Sequence, residues 1–417
     1  MLGRRGVRGG GVRISAYVPG LLGPWPRALH RQIGEGLGLP ALLALLRRSG
    51  APAPLGSFAV WRRPRMRVPL GWNEFPLEVA RLEALAGVGR SGACGRGPGT
   101  SWFPLAALSY YRDAGRRPDG VVMRCDPVCL EAEALGARMI GPGELALEPS
   151  ETAALCDEIN AALVDEGLQV DAPVPERWYL HVSGDAPVSG SRQGSAPGIG
   201  AGWPETSPPS LVAPGAVARH LPRGAAGPEW RRRLNDLQMI LHRSPVNETR
   251  IGAGRRPVNS LWLWGAGRLG DERPEVPFDT VWCAAAEAAG MARLGGAADA
   301  PPPPGGQGWV ETLERGRHLL VLDALFEPLL ARDVEAWRER LSDYEARWFV
   351  PLLAAFEAGS IARLELDVGV HGRFRPLTVR RSMRASIGAS NGSGAGHRTR
   401  SGALPEWLIS EPVEDDE

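Results

Sequence analysis

A run of four large apolar residues, Leu-Trp-Leu-Trp at positions 261–264, restricts the fold of this chain more than any other stretch. Such a run predicts a strand that is covered on both faces. Residues 244–248 before it predict the end of a helix and a loop. Gly265 and Gly267 follow it, where a missing Cβ lets the backbone turn or lets a ligand approach. Because ligands bind at the carboxyl ends of strands in an open α/β sheet, this turn is a candidate site.

Length and composition set limits on the class of protein. A chain of 417 residues can hold two domains, or one large domain with an insertion. The hydrophobic fraction of 43% is typical of globular proteins, and a net charge of +1 gives no reason to expect nucleic acid or an anionic membrane as a partner. No stretch reaches the roughly 18 uninterrupted apolar residues of a membrane helix. We therefore expect neither nucleic acid nor a membrane among its partners.

The five cysteines do not form a paired framework, since their number is odd. A chain of this size does not depend on disulfide bonds for its stability. Cys125 and Cys129 are four positions apart, but no second cluster of Cys and His completes a zinc site. We expect reduced, structural thiols and a cytoplasmic protein.

The first part of the chain predicts one strand–turn–helix unit followed by weakly patterned sequence. Residues 12–18 alternate like a strand, and residues 37–48 form a leucine-rich helix that ends in two arginines. Further helices are predicted at about 76–87 and at 104–111, the second with a proline in its first turn. Residues 1–11 are expected to be disordered.

The middle of the chain, residues 114–227, predicts a smaller α+β domain. Its predicted segments are a strand at 121–125 ending in a turn at Asp126-Pro127, a strand at 137–140 with 144–147 as a candidate partner, a helix opened by Pro149, and strands at 168–171 and 177–182. Residues 183–215 are rich in Ser, Gly and Pro and predict a flexible connection.

The last part returns to longer helices and buried strands. Its predicted segments are a helix opened by Pro228, a helix at 281–294, a strand at 318–322, a helix with an apolar stripe at 334–348, and strands at 361–368 and 376–380. The tail, residues 381–417, is rich in Ser, Gly and Arg and ends in acidic residues, so we expect it to be disordered.

This order of segments resembles the archaeal-type, cofactor-independent phosphoglycerate mutases of the alkaline phosphatase superfamily. In that family a helix is followed by His-Pro-Val-Asn, then by an Asn, a Trp-Leu-Trp strand and Gly-x-Gly. The corresponding segments here are Ser-Pro-Val-Asn at 244–247 and Asn-Ser-Leu-Trp-Leu-Trp-Gly-Ala-Gly at 259–267. The resemblance extends over residues 12–380 and is strongest to a bacterial branch named "regulatory protein, RpfE type".

The resemblance implies chemistry with two divalent metal ions and a serine nucleophile. The family's Gly-Asp-Gly after the first strand is replaced here by Val-Pro-Gly-Leu at 18–21. The run that starts at Asp323 lacks the family's histidine, and Asp367 and His371 are separated where the family has them adjacent. We interpret these three residues as surface or capping residues, and we expect no metal site.

The position of the family's nucleophile can be aligned with Ser101, but the following Trp-Phe-Pro departs from the family's pattern. A serine that starts a helix has a second interpretation as an N-cap. Ser101 is thus a candidate catalytic residue with a structural alternative.

Six further residues are candidates for ligand binding: Asn247, Arg250, Asn259, Gly265, Gly267 and Arg268. The two asparagines could line a pocket over the glycines, or could bond the backbone of their own loops. The two arginines could hold an anion bidentately. The chain has no lysine and 48 basic residues, however, so an arginine at any given position carries little information.

These observations predict an α/β fold: an alkaline-phosphatase-like core sheet from residues 12–113 and 228–380, with helices on both faces and an inserted smaller α+β domain at 114–227. The leading functional hypothesis is a phosphoglycerate-mutase-like pseudoenzyme without cofactors, which binds a phosphorylated small molecule or a protein partner. The alternative is an active phosphoglycerate mutase, or a related phosphotransferase or phosphatase, that uses Mn²⁺ or Zn²⁺. A third interpretation is a scaffold that binds a partner through surface Arg and Trp.

Overall fold

The computed structural model describes residues 11–21, 37–49, 81, 85, 104–134, 136–182, 203–212, 216–271, 273–368 and 376–381. Several predictions lie outside these ranges. They are residues 1–10, most of the helix at 76–87 except Arg81 and Leu85, Ser101, residues 183–202, His371 and residues 382–417.

The first of two sheets has six strands in the order β11-β10-β1-β9-β7-β8. Their bounds are β1 Val12–Tyr17, β7 Thr280–Trp282, β8 Ala298–Ala300, β9 Arg317–Val321, β10 Ile361–Asp367 and β11 Pro376–Thr378. All neighbouring pairs are parallel except the pair of β10 with the edge strand β11. The carboxyl ends of the five parallel strands therefore meet at one edge, which we call the carboxyl edge.

The second sheet is antiparallel and is built around one long strand. Its strands are β2 Val122–Glu133, β3 Gly136–Ile140, β4 Leu168–Val174, β5 Arg177–Val182 and β6 Ser260–Gly267. The first residues of β2 pair with β5 on one side and with β6 on the other, and its last residues pair with β3. Strand β6, which contains the Leu-Trp-Leu-Trp run, thus belongs to this sheet and not to the parallel one.

Eleven α-helices are assigned within the described residues. They are α1 Pro40–Arg48, α2 Leu105–Ala114, α3 Pro142–Leu145, α4 Pro149–Leu163, α5 Gly227–His242, α6 Pro245–Gly252, α7 Ala286–Gly295, α8 Trp309–Thr312, α9 Phe326–Ala331, α10 Val334–Tyr344 and α11 Val350–Ala358. Capping hydrogen bonds explain where two of these helices, α4 and α10, begin. Glu148 and Glu151 form a capping box at α4, and the Asp333 carboxylate accepts the Ala336 N–H at α10.

The core is layered, and alternation along single strands decides which layer each side chain joins. In β9, Leu320 packs with α1, α10 and α11 on one face of the parallel sheet, whereas Leu319 packs with α2 and α7 on the other. In β6, Trp262 and Trp264 face that same α2–α7 layer. Leu261 and Leu263 face α4 and α5 on the opposite side. The predicted fold class, an α/β core with helices on both faces and a smaller α+β part, is confirmed.

Several local predictions differ from the structure. Residues 245–252 form helix α6 rather than a loop. Asp126 and Pro127 lie inside β2 rather than in a turn. The candidate strand at 144–147 is a single helical turn, α3, and the helix predicted from 281 starts only at Ala286, after the short strand β7.

Part of the segment predicted as a flexible connection is packed onto the body. The Trp203 ring stacks on Trp230 with centroids 5.6 Å apart, and the Ser207 carbonyl accepts the Trp262 indole N–H at 2.9 Å. Aromatic stacking and a buried indole donor hold residues 203–212 more firmly than their composition suggests. Within the described part of the chain, no helix is long and apolar enough to cross a membrane.

Candidate functional site

Helices α2 and α7 run parallel and both start near the carboxyl edge. A Cβ placed on Gly290 of α7 would lie 1.9 Å from the Leu108 carbonyl oxygen of α2. One turn further along, the Arg293 guanidinium donates to the Arg112 carbonyl at 3.3 Å. The contacts pass from Leu108 to Arg112 in α2 and from Gly290 to Arg293 in α7, so the two helices run in the same direction. Their N-termini therefore lie at the same end, next to the strand ends of the parallel sheet. Ligands bind at this position in open α/β sheets, so it is the candidate site.

The corner after β1 is filled by protein atoms. Gly20 has φ +83°, and a Cβ there would lie 3.1 Å from the Leu325 carbonyl oxygen. The Gly20 carbonyl accepts the indole N–H of Trp337 at 2.9 Å, and Leu21 is buried. Glycine is required here because the backbone is left-handed and tightly packed. The resemblance places a metal-binding aspartate at this corner, and the chain instead closes it with packing.

An arginine and two carboxylates meet at the neighbouring strand ends. Asp323 follows β9, and Glu287 lies in the first turn of α7, after β7. The Arg81 guanidinium donates to Asp323 from Nε at 2.8 Å and to Glu287 from Nη1 at 3.1 Å. We call these three residues the Arg81 cluster. Arg81 and Glu287 were not identified from the sequence; the only signal for Glu287 was a single acidic residue in an alanine-rich helix.

The thiol of Cys283, directly after β7, lies close to the same cluster. Burial raises the pKa of Cys283 to about 12, and the nearby Asp323 carboxylate raises it as well, while the Arg81 guanidinium lowers it. A thiol with so high a pKa is protonated at neutral pH and is a poor nucleophile or metal ligand. Cys283 therefore serves the packing of this edge, in agreement with the predicted structural role of the thiols.

The predicted glycine turn contacts helix α2. A Cβ on Gly265, where φ is +67°, would lie 3.1 Å from the Leu105 Cβ, and one on Gly267 would lie 2.6 Å from the Pro104 Cα. The missing side chains let β6 approach the first turn of α2 closely. Both glycines lie within β6, which belongs to the antiparallel sheet, so the expectation of a glycine turn after a strand of the open α/β core sheet was wrong.

The two candidate asparagines bond backbone groups. Asn247 is buried; its amide N–H group donates to the Leu241 and Val258 carbonyls at 2.7 Å, and its carbonyl accepts the Val258 N–H at 2.8 Å. Asn259 accepts the Leu130 N–H at 2.7 Å and donates to the Leu130 carbonyl at 3.0 Å. These bonds fix the ends of α5, α6 and β6 and extend the edge of β2.

The two candidate arginines have different environments. Arg250 is buried and donates to the Glu151 carboxylate at 2.7 Å and to the Arg256 carbonyl at 2.8 Å. It also bonds the Leu145 carbonyl, so the guanidinium joins α6 to α3 and α4. Arg268 is exposed at the end of β6. The structure does not bring these two arginines together in one pocket.

A buried polar network that the sequence did not indicate lies where β2, β5 and β6 meet. Arg124 holds Asp126 through two bonds of 2.8 Å, and its guanidinium lies 4.8 Å from the centre of the Trp264 ring. Nearby, the Asp113 carboxylate accepts bonds from Arg177 and Tyr179 at 2.6 Å. Burial alone would raise the pKa of Asp113, but the bonds from Arg177, Tyr179 and Arg112 outweigh it and hold the pKa below its ordinary value.

The residues of the described chain do not fit the two metal ions that the resemblance implies. Within those residues, no three His, Cys, Asp or Glu side chains converge closely enough to hold a metal ion. Asp323 is bound by Arg81. Asp367, which we interpreted as a surface or capping residue, is 1% exposed at the end of β10 and so is not at the surface. Ser101 and His371 lie outside the described residues.

Comparisons with known proteins show sequence relatives but no matching family model. The 2,3-bisphosphoglycerate-independent phosphoglycerate mutase of Methanosarcina mazei is 24% identical over 220 residues, which cover 47% of this chain and 50% of that enzyme. The corresponding enzyme of Methanosarcina acetivorans is 25% identical over 216 residues. A probable enzyme of the same name from Geobacter sulfurreducens is 33% identical over 61 residues. The matches thus span about half of the first relative's length, or less.

Two solved structures are similar over most of the chain at low scores. A cofactor-independent phosphoglycerate mutase from Thermoplasma acidophilum covers 89% of this chain with 17% identity and a TM-score of 0.36. A Pyrococcus horikoshii protein covers 88% with 13% identity and a TM-score of 0.45. The sequence comparisons give this chain a weak and partial homology to the cofactor-independent phosphoglycerate mutases.

Proposed function

We propose that this protein is a phosphoglycerate-mutase-like member of the alkaline phosphatase superfamily that lacks the two-metal centre and acts as a regulatory or binding protein in the cytoplasm. It would correspond to the degenerate branch named "regulatory protein, RpfE type". Its ligand would be a phosphorylated small molecule or a protein partner. The observation that supports this proposal is the Arg81 cluster.

The Arg81 cluster supports the proposal through its charges. Metal-dependent phosphoryl transfer needs carboxylates that are free to bind cations, because the cations stabilise the charge of the transferring group. At this edge Asp323 and Glu287 are instead bound by a guanidinium, at 2.7 and 3.1 Å. The packed corner at Gly20 removes a further ligand position. An edge built in this way suits recognition better than metal-assisted catalysis.

An active phosphoglycerate mutase is the second candidate. The observation that favours it is the sequence homology to archaeal enzymes of that name, which extends over 220 residues in the first relative. In that case Ser101 would be the nucleophile, and Mn²⁺ or Zn²⁺ would bind through ligands that include residues outside the described ranges.

Two measurements on the purified full-length chain separate the candidates. Elemental analysis should find less than stoichiometric manganese and zinc, and a coupled assay should find no conversion of 3- to 2-phosphoglycerate with added Mn²⁺. Titration calorimetry with 3-phosphoglycerate then tests the binding role directly. Stoichiometric bound metal, or turnover that disappears in Ser101→Ala, would overturn the proposal in favour of the enzyme.

A further inference from the structure

The Arg81 cluster joins three distant parts of the chain through one guanidinium. Arg81 is 242 positions from Asp323 and 206 from Glu287. Its Nε and Nη2 both reach Asp323 Oδ2, at 2.8 and 2.7 Å, while Nη1 reaches Glu287 Oε1. The fork of an arginine can hold two carboxylates at once, which the single ammonium of a lysine does less well.

Because the Arg81 cluster is largely buried, its two carboxylates would be unstable without a cation beside them. The Glu287 side chain is only 5% exposed, and that of Arg81 is 17% exposed. Two carboxylates that approach one another in a poorly solvated place repel, and each would also lose hydration. Within the described residues, three other titratable side chains lie near the cluster: the protonated thiol of Cys283, the Arg124 guanidinium near Glu287 and the Tyr344 phenol near Asp323. Arg81 is the cation that donates directly to both carboxylates.

We propose that Asp323 and Glu287 form a cation site of which Arg81 is the permanent occupant. The guanidinium holds the end of β9 to the start of α7, so that this part of the fold needs no divalent ion. Removal of the guanidinium would leave two carboxylates that accept a divalent cation, as magnesium and manganese sites often use one or two carboxylates. This inference depends on a local contact and not on the proposed function, and its test does not involve activity.

The test is thermal unfolding of the full chain with and without millimolar MnCl2. Arg81→Met removes the charge and keeps an unbranched apolar stem at this position. We expect it to lower the Tm by on the order of 5 °C, and MnCl2 to recover about half of that loss. The wild-type Tm should not respond to MnCl2. Arg317→Met is the matched control, because Arg317 forms an exposed pair with Asp279 at 3.7 Å and its loss should be small and independent of Mn²⁺.

The double variant Arg81→Met/Glu287→Gln isolates the charge. It removes the uncompensated buried carboxylate, so it should be more stable than Arg81→Met alone and should not respond to MnCl2. If Arg81→Met does not fold, recovery of folding in the double variant supports the proposal and continued failure overturns it. An Arg81→Met protein that is as stable as the control, or that gains nothing from MnCl2 beyond what the wild type gains, also overturns it.

Discussion

The Asp126 carboxylate accepts the indole N–H of Trp264 at 2.7 Å, across the pairing of β2 and β6. The same carboxylate holds the buried Arg124 through two bonds and accepts the Trp178 backbone N–H at 3.4 Å. The Arg124 guanidinium and the Trp264 indole therefore both depend on Asp126. A network of this kind is stable only while all of its members are present.

Asp126→Ala is expected to destabilise the protein by about 3–5 kcal/mol, because it leaves the buried Arg124 guanidinium without its carboxylate partner and with a bond of 3.5 Å to the Ser109 hydroxyl. Urea unfolding at neutral pH measures the change. The exposed Asp157 on α4 is the matched control, and Asp157→Ala should change the free energy of unfolding by less than about 0.5 kcal/mol. Equal effects of the two substitutions would show that the buried pair contributes no net stability.

Gly290→Ala is expected to cost about 3 kcal/mol, because its Cβ would overlap the Leu108 backbone and force α2 and α7 apart. Gly252, at the end of α6, has no atom within 4 Å of its Cβ position. Gly252→Ala should therefore be neutral or slightly stabilising. Thermal unfolding of both variants tests the close helix contact; an unchanged Tm in Gly290→Ala would contradict it.

Asn247→Ala is expected to destabilise the protein by about 2–4 kcal/mol, since three backbone groups each lose one buried hydrogen bond. Arg268→Ala, at an exposed position, should change the stability by less than about 0.5 kcal/mol. Chemical unfolding measures both. A pocket role for Asn247 would be indicated by the opposite pattern, in which the variant keeps its stability and loses affinity for 3-phosphoglycerate.

The folded state should lose stability in acid as Asp113 is protonated. Its pKa in the folded protein is below the ordinary value of 3.8, so its contribution is complete above that value and is lost as the pH falls through the folded pKa. Asp113→Asn should therefore flatten the dependence of unfolding free energy on pH below about pH 4. If the unfolding free energies of the wild type and Asp113→Asn fell equally with pH in acid, the contribution of Asp113 would be contradicted.

Local patterns predicted most of the longer elements. The apolar stripe of α5 and the proline and acidic residues at the start of α4 placed those helices close to their observed bounds. The strands β7 and β8 were missed because three residues are too few to show a period. Asp126 was assigned to a turn because a charged residue before a proline is typical of one, and its buried partners were not visible in the sequence.

The candidate site was only partly accessible from the sequence. Asp323 was noticed because it follows a strand, but its partner Arg81 is one arginine among many and lies far away along the chain. Asn247 and Asn259 were both expected in loops before the Leu-Trp-Leu-Trp strand, but Asn247 lies in helix α6. What their amides bond was left open, since an asparagine suits a loop and a pocket equally well.

The sequence by itself determined that residues 261–264 form a strand buried on both faces, since four large apolar side chains in succession leave no face for water. Only the tertiary structure decided that this strand joins β2 in an antiparallel sheet, because burial does not specify the partner or its direction. The same holds for the Arg81 cluster. Its charges are brought within 3.1 Å by the packing of separate elements, and no local pattern encodes that distance.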